Sequence, residues 1–403
     1  MSSSKLETNG EWLVWARETA HYNIEDIARK IKKSPETLIE WEKTGKIEYD
    51  NLVELGKYYQ RPTSVFFSKT KPNYEKEDFT DFRTFANENN AKITPDIEFE
   101  IRNAKFRRKI LLDINKEHNN FKIADFVLKD LNNENIEKLS QNIRSILKMN
   151  RSTSKYNLGY WIQKLESMGI LIFEFYGIDP DKIRGYALCY DKLPIIGINH
   201  REYKNPKKFT LFHELAHILL KQNSISNILN YDLKFSEEIL CNKIASEILV
   251  PLELFKAITK EFKNDKFENK DIEYLSKTFN VSKDVIIRKA IDLNYINKNS
   301  YKKRDLEFKE YLKERAIRTN KNTNTLKNTL NQENKTAKML TADEKYQKLA
   351  SELFSKNGNY FTKKLFEAYE NELISDLELS RDLDTSLYVV EKIRECILKR
   401  EYS

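Results

Sequence analysis

The sequence predicts an α+β protein that is mostly helical: an all-α domain first, then a domain with a small antiparallel sheet, then a carboxy-terminal helical segment. Three observations predict it. Apolar residues recur at helical spacing along the first part of the chain, with capping residues between the runs. Short β-branched and aromatic runs cluster between 169 and 199. Directly after them, His213-Glu214-Leu215-Ala216-His217 sits inside the apolar stretch Lys208–Lys221, which reads as a buried helix.

The first helices are expected at Trp12–Glu18, Ile24–Ile31, Ser34–Gly45 and Leu52–Tyr59, each amphipathic and tightly connected. Ser34 can cap the third helix and Pro35, with its preset φ, can start it. Arg61–Phe67 closes this domain, and Thr70 to Asn90 is polar and irregular. Ile93 to Met149 reads as helices, with Phe99, Ile101, Phe106, Ile110, Leu111 and Ile114 spaced for one face. Arg102, Lys105, Arg107, Arg108 and Lys109 form the densest basic cluster and read as a solvated face.

Tyr156 to Met168 is expected as a helix and Gly169–Phe175 as a strand. Gly185–Tyr190 and Ile195–Asn199 look like a hairpin around Asp191-Lys-Leu-Pro194. An edge strand there could pair with an extended peptide. Tyr301 to Arg318 reads as a charged helix, and Thr319 to Lys338 is too poor in apolar residues to offset chain entropy, so a linker is expected. Glu344 to Tyr402 is helical, with Leu349, Leu353, Phe354, Leu365, Phe366 and Tyr369 as a small core. The expected division is therefore 1–70, 71–150, 151–300, 301–340 and 341–403.

A net charge of +8 is mild for 403 residues and mixed in sign, so it demands no nucleic-acid role. Cys189, Cys241 and Cys396 are odd in number and lack CxxC spacing, which excludes a disulfide framework and a cysteine zinc site. Cys241 reads as a packing residue. The apolar stretches fall short of a membrane span and the amino terminus is no signal peptide, so no membrane partner and a cytoplasmic location are expected.

The chemistry concentrates in the HELAH segment. Two histidines four apart lie on one helical face and can reach a single metal ion. Glu214, beside the first histidine, can take a proton from water activated there. A catalytic zinc needs a third protein ligand. On the helix Phe235–Pro251, apolar periodicity puts Glu238, Asn242, Ala245 and Leu249 on one face. Glu238 is thus the expected third ligand, with Asn242 placed to hold a ligand histidine. Glu237 lies about a hundred degrees around the helix and is the fallback. Glu247 reads as a surface charge.

Phe-Thr-Leu-x-His-Glu-Leu-x-His followed by Glu-x-x-x-Asn-x-x-Ala-x-x-x-Leu-x-Pro resembles the ImmA/IrrE family of bacterial and phage zinc metallopeptidases. The resemblance implies a zincin-like domain with His213, His217 and Glu238 as zinc ligands and Glu214 as base. The sequence has Ala216 where glycine is usual, Cys241 where alanine is usual and Ile244 in place of an aromatic; none of these removes a functional atom. Leu275–Ile296 also resembles the helical segment that follows the active site in these enzymes, and Lys364–Ser380 the carboxy-terminal helices of longer members. The family includes proteases that cleave a partner repressor, and stress regulators.

The first four helices resemble an XRE-type helix-turn-helix domain, with Asp81-Phe-Arg83 similar to its usual join to a peptidase. Its third helix would present Lys33, Ser34, Glu36, Thr37, Glu40 and Lys43 to DNA. Residues 1–70 are neutral, with eleven basic and eleven acidic side chains, so the basic footprint of a DNA binder is absent and a protein-docking use stays open. Glu36, Glu40 and Glu42 would oppose phosphate contacts.

Two functions are compatible with these features. One is a zinc-dependent regulatory endopeptidase that cleaves a repressor or antitoxin, targeted or autoregulated through DNA binding. The other is a non-proteolytic transcription regulator whose zinc domain senses or docks. An unliganded acid beside the ligands favours the enzyme, because structural zinc is closed by four ligands. His200 and Tyr203, just before the motif helix, are candidate oxyanion donors. A homodimer is admitted by such an organisation.

Overall fold

The computed structural model describes residues 5–59, 61–70, 94–114, 133–149, 157–202, 204–226, 236–260, 267, 269–296 and 341–401. The expected irregular segment after Thr70, the Asp81–Arg83 join, the charged helix 301–318 and the linker 319–338 lie outside the described residues. Helices dominate and the sheets are small, which is the expected α+β character.

The amino-terminal unit packs α1 (Gly10–Thr19), α2 (Ile24–Lys30), α3 (Pro35–Thr44) and α4 (Tyr49–Tyr59) around Leu13, Ala16, Ile27, Leu38, Trp41, Leu52 and Leu55. The caps explain where the helices begin. Side chains of Asn9, Asn23 and Ser34 accept from Glu11, Asp26 and Thr37 backbone N–H groups. α3 ends at Gly45 with φ 69°, where an added Cβ would lie 2.1 Å from the Thr8 carbonyl oxygen; only glycine fits. A two-stranded ribbon, β1 (Lys5–Glu7) with β2 (Lys46–Glu48), ties the chain start to this turn.

Helix α5 (Pro95–Ile114) joins that unit to the rest. Near its start, fully buried Glu98 meets His21 at 2.6 Å, and Arg102 donates to the Tyr59 carbonyl. Further along, Ile101, Ala104 and Leu111 enter the core of the central sheet. Two expectations need correction here. Phe106 is 54% exposed, because the face that α5 buries is the one carrying Ile97, Ile101 and Ala104. The basic cluster is not a solvated face throughout. Arg107 is buried, donates to Asn357 Oδ1 at 3.0 Å and lies over the Phe173 ring. Arg108 donates to the Lys192 and Leu193 carbonyls and stacks on Tyr190.

The central sheet has four strands, β3 (Leu171–Phe175), β4 (Gly185–Leu188), β5 (Ile195–Asn199) and β6 (Ser224–Ser226), in the order β3-β5-β4-β6. β4 and β5 form the expected hairpin, with Leu188 opposite Ile195. The sheet is mixed and not purely antiparallel: the hairpin docks through β5, which runs parallel to β3 in the register Leu171↔Ile195. β6 pairs antiparallel with β4 and is an edge among the described residues.

Alternation along the strands splits the sheet between two cores. Ile172, Ala187, Ile196 and Ile198 face the helix pair that carries the motif. Leu171, Phe173, Phe175, Tyr186, Leu188 and Ile195 face α5 and the carboxy-terminal helices α13 (Ala342–Asn357), α14 (Asn359–Glu370), α15 (Asp376–Asp382) and α16 (Leu387–Glu401). Burial on both faces explains why these strands read as continuous apolar runs. At Gly197 an added Cβ would fall 2.1 Å from the Tyr186 ring, so the missing side chain admits the aromatic. The carboxy-terminal core holds Phe354, Phe361, Leu365 and Phe366, whereas Leu349, expected inside, is 40% exposed; Ala350 takes the inward position.

Candidate metal centre

The motif helix is α8 (Lys204–Leu219), and it packs against α9 (Ser236–Leu249). Apolar residues at Leu211, Phe212, Leu215, Ala216 and Ile218 bury nearly its whole circumference. Such a helix can carry two imidazoles only if they are satisfied inside. They are turned towards α9.

His213 Nε2 lies 3.2 Å from one Glu238 oxygen and His217 Nε2 lies 3.3 Å from the other. The two Nε2 atoms are 3.1 Å apart. These three side chains form a group able to hold a metal ion. With ligand bonds of about 2.0–2.2 Å, a tetrahedral zinc places its donor atoms roughly 3.3–3.5 Å apart. The observed separations of 3.1 to 3.3 Å sit at or slightly inside that spacing, with each histidine meeting a different Glu238 oxygen, and two imidazoles with one carboxylate are a borderline donor set suited to zinc.

Support lies on α9 one turn further on. Asn242 Oδ1 faces His213 Nδ1 at 3.0 Å. The amide oxygen can only accept, so the proton sits on Nδ1 and the Nε2 lone pair faces the centre. Burial would push the Glu238 carboxyl up, but the two imidazoles beside it hold it far below the usual carboxylate range. Burial alone would lower His213, and Glu238 overrides it in the opposite direction. Glu237 is exposed and outside the cluster.

Glu214 is fully buried beside the histidines. Its Oε2 accepts from the Ser224 hydroxyl at 2.6 Å, and its Oε1 is buried without a partner among the described residues. The carboxylate lies so close to β4 that an added Cβ on Gly185 would fall 2.7 Å from Oε1. Nearby, buried Glu202 accepts from Thr210 Oγ1 at 2.9 Å and sits 3.4 Å from Arg184; burial pushes its carboxyl up to about 7.

The oxyanion candidates fare differently. His200 Nδ1 lies 2.8 Å from Glu174 Oε2 and its ring stacks on Tyr176 at 4.1 Å, which fixes the ring just after β5. Tyr203 lies outside the described residues. Glu247, expected on the surface, is buried: it caps the Leu252 backbone N–H at 2.7 Å and pairs with Lys289. Cys241 is fully buried, and burial pushes its thiol up, as suits a packing residue.

On α3, Lys33, Ser34, Glu36, Glu40 and Lys43 are exposed and Thr37 is half-buried. Ser34 and Thr37 are joined to each other through the helix cap. Glu42, expected to oppose phosphates, is bound in a two-pronged ion pair with Arg17 at 2.6 and 3.2 Å and so is internally neutralised.

Residues 165–290 match the family described as Peptidase_M78, IrrE N-terminal-like domain. That span contains the whole cluster and runs from the end of α7 (Leu158–Glu166) into α12 (Lys283–Asp292). A metal cofactor and a hydrolase of the peptidase type are what this likeness supports. The match does not extend over α1–α4 or the carboxy-terminal helices. No curated protein matches the chain. No helix among the described residues is long and apolar enough to cross a membrane.

Proposed function

We propose that the protein is a zinc-dependent endopeptidase, with His213, His217 and Glu238 holding the metal. The observation that carries this reading is the cluster of two imidazole nitrogens and the Glu238 carboxylate at 3.1 to 3.3 Å, with a second buried carboxylate, Glu214, beside it. Zinc there would supply Lewis-acid chemistry, making water nucleophilic near neutral pH and polarising the scissile carbonyl. Glu214 Oε1 takes the proton of the attacking water and returns it to the leaving amine. Asn242 keeps His213 in one tautomer and orientation. A site serving structure alone would be closed by a fourth ligand and would have no use for a buried acid held out of the donor set.

The natural substrate in this reading is a protein partner such as a repressor or antitoxin. The amino-terminal helices serve targeting or autoregulation through DNA, using the exposed start of α3 as the reading surface.

Metal analysis of purified variants tests the ligand set. The parent should hold about one zinc per chain by the three-ligand logic. His217→Ala and Glu238→Ala should lose most of it, and Glu237→Ala should keep it. An empty Glu237→Ala protein beside a filled Glu238→Ala protein would overturn the assignment.

A further inference from the structure

Ser224 is 2% exposed on the short edge strand β6, and nothing in the HELAH motif points to it. Its hydroxyl donates to Glu214 Oε2 at 2.6 Å and accepts from the Ala187 backbone N–H at 3.2 Å. A serine hydroxyl carries one proton. With Ala187 occupying an acceptor lone pair, that proton is committed to Glu214. Across the carboxylate, the glycine at position 185 leaves room where a Cβ would fall 2.7 Å from Oε1 and from Thr210 Cγ2. Glu214 is therefore gripped on one oxygen and walled by backbone on the other. The gripped oxygen is Oε2, and the one without a partner among the described residues is Oε1.

We propose that Ser224 is the positioning residue of Glu214, fixing Oε2 so that Oε1 alone faces the reacting groups. The proposal rests on the peptidase reading, in which Glu214 exchanges a proton with substrate and water. A carboxylate free to rotate would present either oxygen and spend part of its time out of reach. A hydrogen bond to an ionised group is worth about ten- to a hundredfold in a binding constant. The strand that carries Ser224 is also the sheet edge, so the grip is built into the wall of the site and not into the motif helix.

The test uses the full chain loaded with cobalt(II) and titrated with acetohydroxamate, a small chelator whose acidic proton a neighbouring carboxylate accepts. Visible absorption of the cobalt reports binding. Ser224→Ala should keep its metal content and weaken acetohydroxamate about tenfold. In a Glu214→Ala background the same Ser224→Ala change should have almost no further effect, because nothing remains to be positioned. A merely structural serine would lower the melting temperature and leave the cobalt titration unchanged, and that result would overturn the proposal. Equal weakening with and without Glu214 would overturn it as well, since Ser224 would then act by another route. If the parent itself takes up neither cobalt nor zinc, the metal reading falls first and takes this proposal with it. Normal loading with an unaltered Ser224→Ala titration removes the proposal alone.

Discussion

At the residue scale, the centre depends on what each polar atom is denied as much as on what it is given. Glu214 has one oxygen bound by Ser224 and one held against the backbone at Gly185. Gly185→Ala places a Cβ 2.7 Å from both Glu214 Oε1 and Thr210 Cγ2, which a packed site cannot absorb without moving. Overpacking of this kind costs about 1–3 kcal/mol. The variant should melt several degrees below the parent and lose peptidase activity, while metal analysis still finds zinc, since no ligand is touched. Loss of zinc together with activity would mean that Gly185 supports the ligands and not the base. The three side chains of the cluster were legible in the sequence, because a helix puts i and i+4 on one face and the apolar period of Phe235–Pro251 turned Glu238 inward. Ser224 and Gly185 were not. Their roles come from contacts to Glu214 across 10 and 29 positions, and no local period encodes them.

At the element scale, helices with clear caps were readable and the sheet order was not. Ser34, Pro35 and Gly45 mark α3 in the sequence and bound it in the structure. β6 is three residues long with Ile225 its one apolar residue, too short for an alternation to register. Arg107 looked solvated because its partner Asn357 is 250 positions away. A similar long-range contact fastens α14. Glu166, at the end of α7, accepts from the Tyr360 backbone N–H at 3.0 Å and from Asn359 at 3.4 Å, capping the helix from outside. Burial pushes the Glu166 carboxyl up from 4.5 to about 7, opposed by these hydrogen bonds. The folded state therefore holds the proton more tightly than the unfolded one. Its stabilising contribution is full below pH 4.5 and is lost as pH rises towards 7, on the order of 3 kcal/mol at 1.36 kcal/mol per unit. Glu166→Gln, neutral throughout, should flatten the fall in urea stability across that window. A parent and variant with parallel profiles would show that Glu166 does not set the slope.

At the scale of the whole molecule, one sheet organises two layers. The motif helices cover one face, and α5 with the carboxy-terminal helices covers the other. The Peptidase_M78 match at 165–290 covers most of the first layer, which also takes Ile136, Leu139, Ile143, Leu147 and Trp161 from before it, and the helices of the second come from sequence on both sides of the match. α5 also touches the amino-terminal unit through Glu98 and Arg102, so the helix that lines the sheet carries the proposed targeting module. If that module binds DNA, the full chain should bind its own upstream region with affinity that falls as salt rises. Lys33→Ala with Lys43→Ala should shallow the salt slope by up to about two charges. Binding indifferent to salt and to both lysines would leave α3 as a protein-docking surface.

The proposed chemistry turns on Glu214 acting as a base. Glu214→Gln keeps the shape and the Ser224 contact of the side chain but cannot accept the proton, and loss of a general base costs on the order of a hundred- to ten-thousandfold in rate. The most direct measurement is mass spectrometry of new protein termini in cells that express the parent or Glu214→Gln together with neighbouring gene products, with zinc quantified in both purified proteins. The base role predicts about one zinc per chain in each, with fragments of a partner protein produced by the parent and absent with the variant. Equal zinc and the same fragments from both proteins would contradict it.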